Sequence, residues 1–406
     1  MKKNNYYFER ILNMDFTNLK NFMEHMSEDI TPGNAIEVYL GGKCVFKYAC
    51  GYSNLESKAP LTGDELFRIY SCSKVTTVTA GAQLLERGIF RLSDPLYEYV
   101  PEFKDIYIKN ADGEIKKAKN PITMGDLFSM TAGFDYNFNT DGFKKARELT
   151  NGRMDTDKVI RCIASDPIHY EPGTHWQYSI GHDVLAGVIS IITGKKFRDY
   201  VRENIFEPLG MKDCYYHDNE ELRKRIPDQY AFTPEGSESF DIVEAQKNGL
   251  QGTGGMFRNL GQENSHVLGE EYDSGGAGII TSISDYVKLM AALANYGTGI
   301  NGEKILSGYT VNLMRTNRLS GQTLEDFNWS ALRGCGYGLG VRTHINKAQS
   351  GVISNLGEFG WGGATGTTVI IDPEINLGVF YAQHNLNPRE EYYQPRLRNV
   401  VYSCLD

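Results

Sequence analysis

The 406-residue sequence predicts a mixed α/β chain (α+β): one antiparallel sheet, helices flanking it, and a mostly helical insertion between the sheet's two halves. Three observations predict this. Ile36, Val38 and Leu40 alternate, Gly41-Gly42 turns the chain, and Val45-Phe46-Lys47-Tyr48 returns, which is a hairpin pattern. Residues 337–341, 367–371 and 377–382 read as three more strands near the C-terminus. The stretch between, about 96–270, carries helical segments and loops with few strand signals. The expected layout is one domain over 1–406, with a sheet subdomain at about 15–95 and 271–406, a helical subdomain at about 96–270, and a cleft between them.

Each element follows from its pattern. Residues 16–26 form an amphipathic helix with Leu19, Phe22, Met23 and Met26 on one side, ended by Pro32-Gly33. After the hairpin, the loop through Pro60 leads to an apolar run, Phe67-Arg68-Ile69-Tyr70. A helix over 75–87, with Val78, Ala82 and Leu85 in register, ends at Gly88. A short helix in 122–133 is capped by Thr123 and stopped by Gly133. Another runs through Val184, Leu185, Val188 and Ile192 to Thr193-Gly194, and 197–205 is helical before Pro208. The 235–270 segment, rich in Gly, Asn and Glu, reads as a long surface loop. That loop and 134–158 are expected at the cleft mouth. Helices over 284–296 and 389–404 close the chain.

Composition narrows the function. A hydrophobic fraction of 41% and a charged fraction of 23% are ordinary for a globular protein. A net charge of -9 offers no general attraction to nucleic acid or to an anionic membrane, so neither is an expected partner. No stretch approaches the ~18 apolar residues of a spanning helix. The basic start, Met1-Lys2-Lys3, is not followed by the apolar core of a secretory leader, so a cytoplasmic location is expected, or an extracytoplasmic one if a leader has been removed. Seven scattered cysteines without a C-x-x-C suggest reduced, packed thiols. The eight histidines form no metal-binding pair, and no phosphate loop or dinucleotide fingerprint is present, so no metal and no cofactor are expected.

The chemistry concentrates at Ser71-Cys72-Ser73-Lys74, where an apolar strand-like run becomes a helix. Residues three apart on a helix share a face, with Cβ atoms about 5–6 Å apart. A lysine held away from water disfavours its charge and can take a proton from a neighbouring hydroxyl, so Ser-x-x-Lys is a recipe for an activated serine. The serine's own amide, at a helix N-terminus, favours a developing oxyanion. A second proton-handling group is needed, and Tyr178 in Tyr178-Ser179-Ile180 is the candidate. Trp361-Gly362-Gly363-Ala364 lies in a segment with five glycines between 357 and 368, which suits close approach of a substrate to backbone. The Ala364 amide would complete an oxyanion hole with that of Ser71.

These pieces, with Leu92-Ser93-Asp94-Pro95, Pro172-Gly173, 205–211, Gly275-Gly276-Ala277-Gly278 and Gly336-Tyr337-Gly338-Leu339-Gly340, stand in the order seen in the β-lactamase-related serine hydrolases. The resemblance covers about 20–400 and implies a β-lactamase/transpeptidase-like fold. It implies that Ser71 is acylated, Lys74 is its base partner and Tyr178 the second acid/base. Two departures point to the family VIII carboxylesterases. Ile180 stands where class C β-lactamases have asparagine, and Trp361-Gly362-Gly363 replaces Lys-Thr-Gly, removing a positive charge that helps hold a substrate carboxylate. Trp361, Gly362, Gly363 and Ile180 are then expected to contact substrate. The expected function is hydrolysis of a small ester or amide, with a carboxylesterase first. The alternatives are a β-lactamase or D-alanyl-D-alanine carboxypeptidase-type peptidase acting on a β-lactam or D-peptide, and a catalytically silent binding protein on the same fold.

Overall fold

Strands from the N-terminal and C-terminal parts of the described residues join in a single sheet. The computed structural model describes residues 14–110, 112–234 and 255–405. Strands β1 (Gly33–Leu40), β2 (Lys43–Asn54) and β3 (Ala59–Pro60) come from the N-terminal part. Strands β4 (Cys335–Tyr337), β5 (Arg342–His344), β6 (Phe359–Gly360), β7 (Thr368–Asp372) and β8 (Leu377–Gln383) come from the C-terminal part. They form an eight-stranded antiparallel sheet in the order β4-β5-β6-β7-β8-β1-β2-β3. The two halves join at β1 and β8, with Ala35 opposite Ala382 and Leu40 opposite Leu377.

Helices cover both faces. The principal ones are α1 (Thr17–Asp29), α2 (Ser73–Glu86), α3 (Gly181–Thr193), α4 (Ile283–Ala294) and α5 (Glu390–Ser403). Successive strand side chains point to opposite faces. Ile36, Val38, Val379 and Tyr381 therefore pack with Leu19 and Met23 of α1 and Leu397 and Val401 of α5. Ala35, Phe380 and Ala382 face the main core, where the Tyr286 ring of α4 lies 4.9 Å from that of Phe380. Helix α2 is buried from Ser73 through Leu84. A helix enclosed on all sides must satisfy its polar groups internally. Thr77 Oγ1 donates to Gly275 O at 2.7 Å and Thr79 Oγ1 to Val75 O at 2.7 Å.

Two expectations need correction. Residues 337–341 are not one strand: β4 ends at Tyr337, Gly338 N donates to Val341 O at 2.8 Å, and β5 begins at Arg342. Gly340 has φ +72, a left-handed conformation that a strand does not use. The 96–270 segment also holds more strand than expected, with hairpins Tyr107–Lys109/Ile115–Lys117 and Gln229–Pro234/Gly255–Gly261. The latter takes part of the 235–270 loop, and 235–254 lie outside the described residues. The helix expected over 197–205 is α-helical at Phe197–Val201 and widens into a π turn at Arg202–Phe206. Among the described residues no helix is long and apolar enough to cross a membrane. All seven cysteines are unpaired.

The short helix Met124–Ser129 stops earlier than expected, with Met130 in the left-handed conformation at φ 58. One carboxylate braces both ends. Asp126 Oδ2 accepts from Thr123 N at 2.9 Å and Thr123 Oγ1 at 2.6 Å, and Oδ1 accepts from Thr131 Oγ1 at 2.6 Å. Thr123→Ala removes the capping hydroxyl and is expected to cost about 1 kcal/mol, read as a lower urea midpoint at unchanged m-value.

Candidate active site

The strand Leu66–Arg68 pairs with Ile280–Ser282, and Ile69 N donates to Ile279 O at 3.1 Å. The chain then turns sharply. Tyr70 sits at φ 43, a costly conformation for a side chain of that size, and its hydroxyl is anchored by Gln229 Oε1 at 2.6 Å. Ser71 occupies the middle of a 3-10 turn, Tyr70–Cys72, that runs into α2 at Ser73. Flanking side chains are buried while Ser71 remains partly exposed. The turn is fixed from below by Tyr286, whose hydroxyl donates to Cys72 O at 2.6 Å.

Lys74, one turn on, is 0% exposed. Its Nζ donates to Ser71 Oγ at 3.3 Å, to the Tyr136 hydroxyl at 2.8 Å and to Gly276 O at 2.8 Å, three acceptors for three donors. It also lies 4.7 Å from the centre of the Tyr178 ring. Tyr178 thus meets the lysine with its ring, while its hydroxyl accepts from Trp361 Nε1 at 3.1 Å. Tyr136 and Tyr178 adjoin, with ring centroids 5.5 Å apart. Tyr136 keeps a partly exposed surface, yet protein atoms crowd its hydroxyl. That crowding, reinforced by Tyr178 and Asp183, raises its pKa well above the ordinary tyrosine value, so it is a neutral phenol that can donate a proton.

The segment 361–367 is tied to the serine turn. Thr365 Oγ1 donates to Arg68 O at 2.9 Å, Thr367 Oγ1 to Ile69 O at 2.9 Å, and Cys72 Sγ approaches Trp361 O at 3.6 Å. Ala364 is partly exposed beside the turn. Among the described residues neither the Ser71 nor the Ala364 amide donates to a backbone carbonyl. Both N–H groups are thus left without a backbone acceptor.

A family model described as Beta-lactamase matches residues 19–402. The chain belongs to the Beta-lactamase family. It is a serine hydrolase of the Beta-lactamase fold. Esterase EstB of Burkholderia gladioli is 28% identical over 350 residues, covering 83% of this chain and 82% of that one. An uncharacterised protein of Mycobacterium tuberculosis is 27% identical over 341 residues, covering 82% and 80%. The fold of "EstCE1, a hydrolase with promiscuous acyltransferase activity" superposes with a TM-score of 0.74 at 21% identity, covering 97% of this chain and 99% of that one.

In this Beta-lactamase-family chain, the structure brings Ser71, Lys74, Tyr178, Trp361, Gly362, Gly363 and Ala364 to one place. Ile180 is different. It is 5% exposed, caps α3 and packs in the main core, so its apolar side chain is accounted for by burial rather than by a place on the cleft wall. Trp361 is also buried, at 3% exposure, in an aromatic cluster with Tyr337 at 5.1 Å, Tyr178 at 5.6 Å and Trp329 at 6.1 Å between centroids. Its Nε1–H reaches the Tyr178 hydroxyl and its carbonyl lies against Cys72 Sγ.

Tyr136 is the residue that sequence reading misses. It lies 62 positions from Lys74 in the 134–158 segment, and no spacing rule links the two. Two further groups sit near the lysine. His182 of α3 is fully buried, and burial together with the Lys74 charge lowers its pKa to about 3. His266, edge-on to the rings of Tyr70 and Tyr136 at 5.8 and 5.7 Å, is lowered to about 4 by the same causes. Both imidazoles are neutral at neutral pH and add no charge to the cleft. His175 stands apart at the surface, 3.0 Å from Asp326.

Proposed function

We propose that this chain is a carboxylesterase that cleaves a small ester through an acyl-enzyme on Ser71. The observation that carries the reading is the Ser71–Lys74–Tyr136 chain of contacts, with Tyr178 and Trp361 beside it. Lys74 acts as the base partner that takes the Ser71 proton as Oγ attacks the acyl carbon. The carbonyl oxygen gathers charge between the Ser71 and Ala364 amides. The bond to the alcohol then breaks, and the proton passes from Lys74 through the neutral phenol of Tyr136, or through Tyr178, to the departing alkoxide. A water molecule repeats the sequence in reverse: it gives its proton to the same group, attacks the ester carbon on Ser71 and releases the acid.

An ester is preferred over a β-lactam on two grounds. Trp361 stands where the related β-lactamases carry a lysine, so its position supplies no cation for a substrate carboxylate. Esterase EstB is among the curated relatives that align over most of the chain. Turnover of p-nitrophenyl butyrate and nitrocefin, measured side by side, tests this. Ester hydrolysis well above that of nitrocefin is expected. Fast nitrocefin hydrolysis with no ester turnover would replace the reading with a β-lactamase, and a wild-type chain that no fluorophosphonate labels would replace it with a silent binder.

A further inference from the structure

We propose that Glu390 sets the charge preference of the site for the alcohol part of the ester, favouring a cationic leaving group and rejecting an anionic one. The proposal rests on the esterase reading and deepens it. The alcohol oxygen must face Lys74, Tyr136 and Tyr178 to receive its proton. Tyr178 is held by Trp361, and on this proposal the rest of the alcohol runs along the neighbouring Trp361-Gly362 backbone. Gly362 has no side chain to cover what lies behind it. A Cβ built there would stand 3.5 Å from Glu390 Oε1 and 2.7 Å from Gln394 Nε2, both in the first turns of α5. Gly362 and Glu390 are both partly exposed, whereas Gln394 is buried. With no side chain at Gly362, the Glu390 carboxylate is left uncovered beside the segment that borders the serine turn.

Nothing described neutralises that carboxylate. Among the described residues no hydrogen bond or ion pair engages it. Arg389, its neighbour, lies over the Tyr392 ring at 5.2 Å. The groups that feel Glu390 from the serine turn and from its own helix, Cys72 and Tyr393, are themselves neutral, pushed up by burial to about 12 and well above the ordinary tyrosine value. Burial, with a smaller contribution from the Glu391 carboxylate, raises the Glu390 pKa to about 7. Its charged fraction therefore grows as pH rises through about 7. A cation on the alcohol gains attraction as pH rises through 7, and an anion is repelled over the same window.

The test uses three butyrate esters of similar size: butyrylcholine, its neutral carbon isostere 3,3-dimethylbutyl butyrate, and anionic 3-sulfopropyl butyrate. Acid release is followed in a pH-stat with wild type and Glu390→Gln. The readout is the ratio of kcat/KM for each charged ester to that for the neutral one, in which titration of the shared proton-transfer groups cancels. At pH 8.5 the cation-to-neutral ratio is expected to fall about tenfold in Glu390→Gln, and the anion-to-neutral ratio to rise. In wild type the cation-to-neutral ratio should also fall about tenfold between pH 8.5 and 5.5, a measurement that stands if the variant does not fold. Equal ratios in both proteins, or a wild-type ratio flat with pH, would overturn the role of Glu390 while leaving the esterase reading intact. No turnover of any ester by wild type, with Ser71 unlabelled by fluorophosphonate, removes the esterase reading and this inference with it.

Discussion

Ser71→Ala is expected to lower kcat for p-nitrophenyl butyrate by roughly 10³-fold or more and to abolish fluorophosphonate labelling, with little change in the urea unfolding midpoint. The contrast follows from where the side chain sits. Its recorded side-chain partner is Lys74 Nζ at 3.3 Å, and it is partly exposed, so the fold loses one long hydrogen bond. The turn that presents it is held by other groups: Tyr70 to Gln229, Tyr286 to Cys72 O, and Ile69 to Ile279. Retained labelling in Ser71→Ala would mean that another hydroxyl is the nucleophile, and the whole assignment of the site would fall.

Lys74→Met should lose at least about 10²-fold in kcat, because no other described basic group lies against Ser71 Oγ. Methionine is chosen over alanine to fill the buried volume. The Tyr136 hydroxyl and Gly276 O would still lose their donor, and an unpaired buried polar group costs about 1–3 kcal/mol. A drop in the urea midpoint therefore accompanies the loss of rate, and activity is compared at a temperature where the variant is folded. The two tyrosines separate the routes of the returning proton. If Tyr136 carries it, Tyr136→Phe costs on the order of 10²-fold and Tyr178→Phe much less; the reverse order restores Tyr178 as the relay. Full activity of both variants would show that neither phenol handles the proton.

The parts of this molecule legible in its sequence are those with a period or a local rule. Alternation marked β1, short apolar runs marked β2, β7 and β8, and an apolar register marked α1 and α2, because each packs apolar side chains into a core. Ser71 and Lys74 were legible for a related reason: three residues on one helix fix their separation without help from the rest of the chain. Tyr136 was not, since its approach to Lys74 depends on how the segment after Met130 folds back, and that is set by the Asp126 brace and tertiary packing. Ile180 misled because a helix cap in the core and a cleft wall both accept an apolar residue. The Gln229–Pro234/Gly255–Gly261 hairpin was hidden by glycine and asparagine, which read as loop. Glu390 carries no motif at all; only the missing side chain at Gly362 makes its position matter.

The ties between the serine turn and the 361–367 segment join residues very far apart in the chain, 297 positions for Arg68 and Thr365. On the proposed reading, the two halves of the oxyanion hole are made about as far apart in synthesis. A nascent chain carrying Ser71 and Lys74 holds a nucleophile with nowhere to place the charge it creates. On that reading, reactivity requires the C-terminal strands, since β8 pairs with β1 in the same sheet that carries the 361–367 segment to the serine turn. An incomplete or truncated chain lacking the last strands is predicted to be inert toward esters and fluorophosphonate alike. If Ser71 is the acylated residue, completion of the fold would then serve as the safety catch on it.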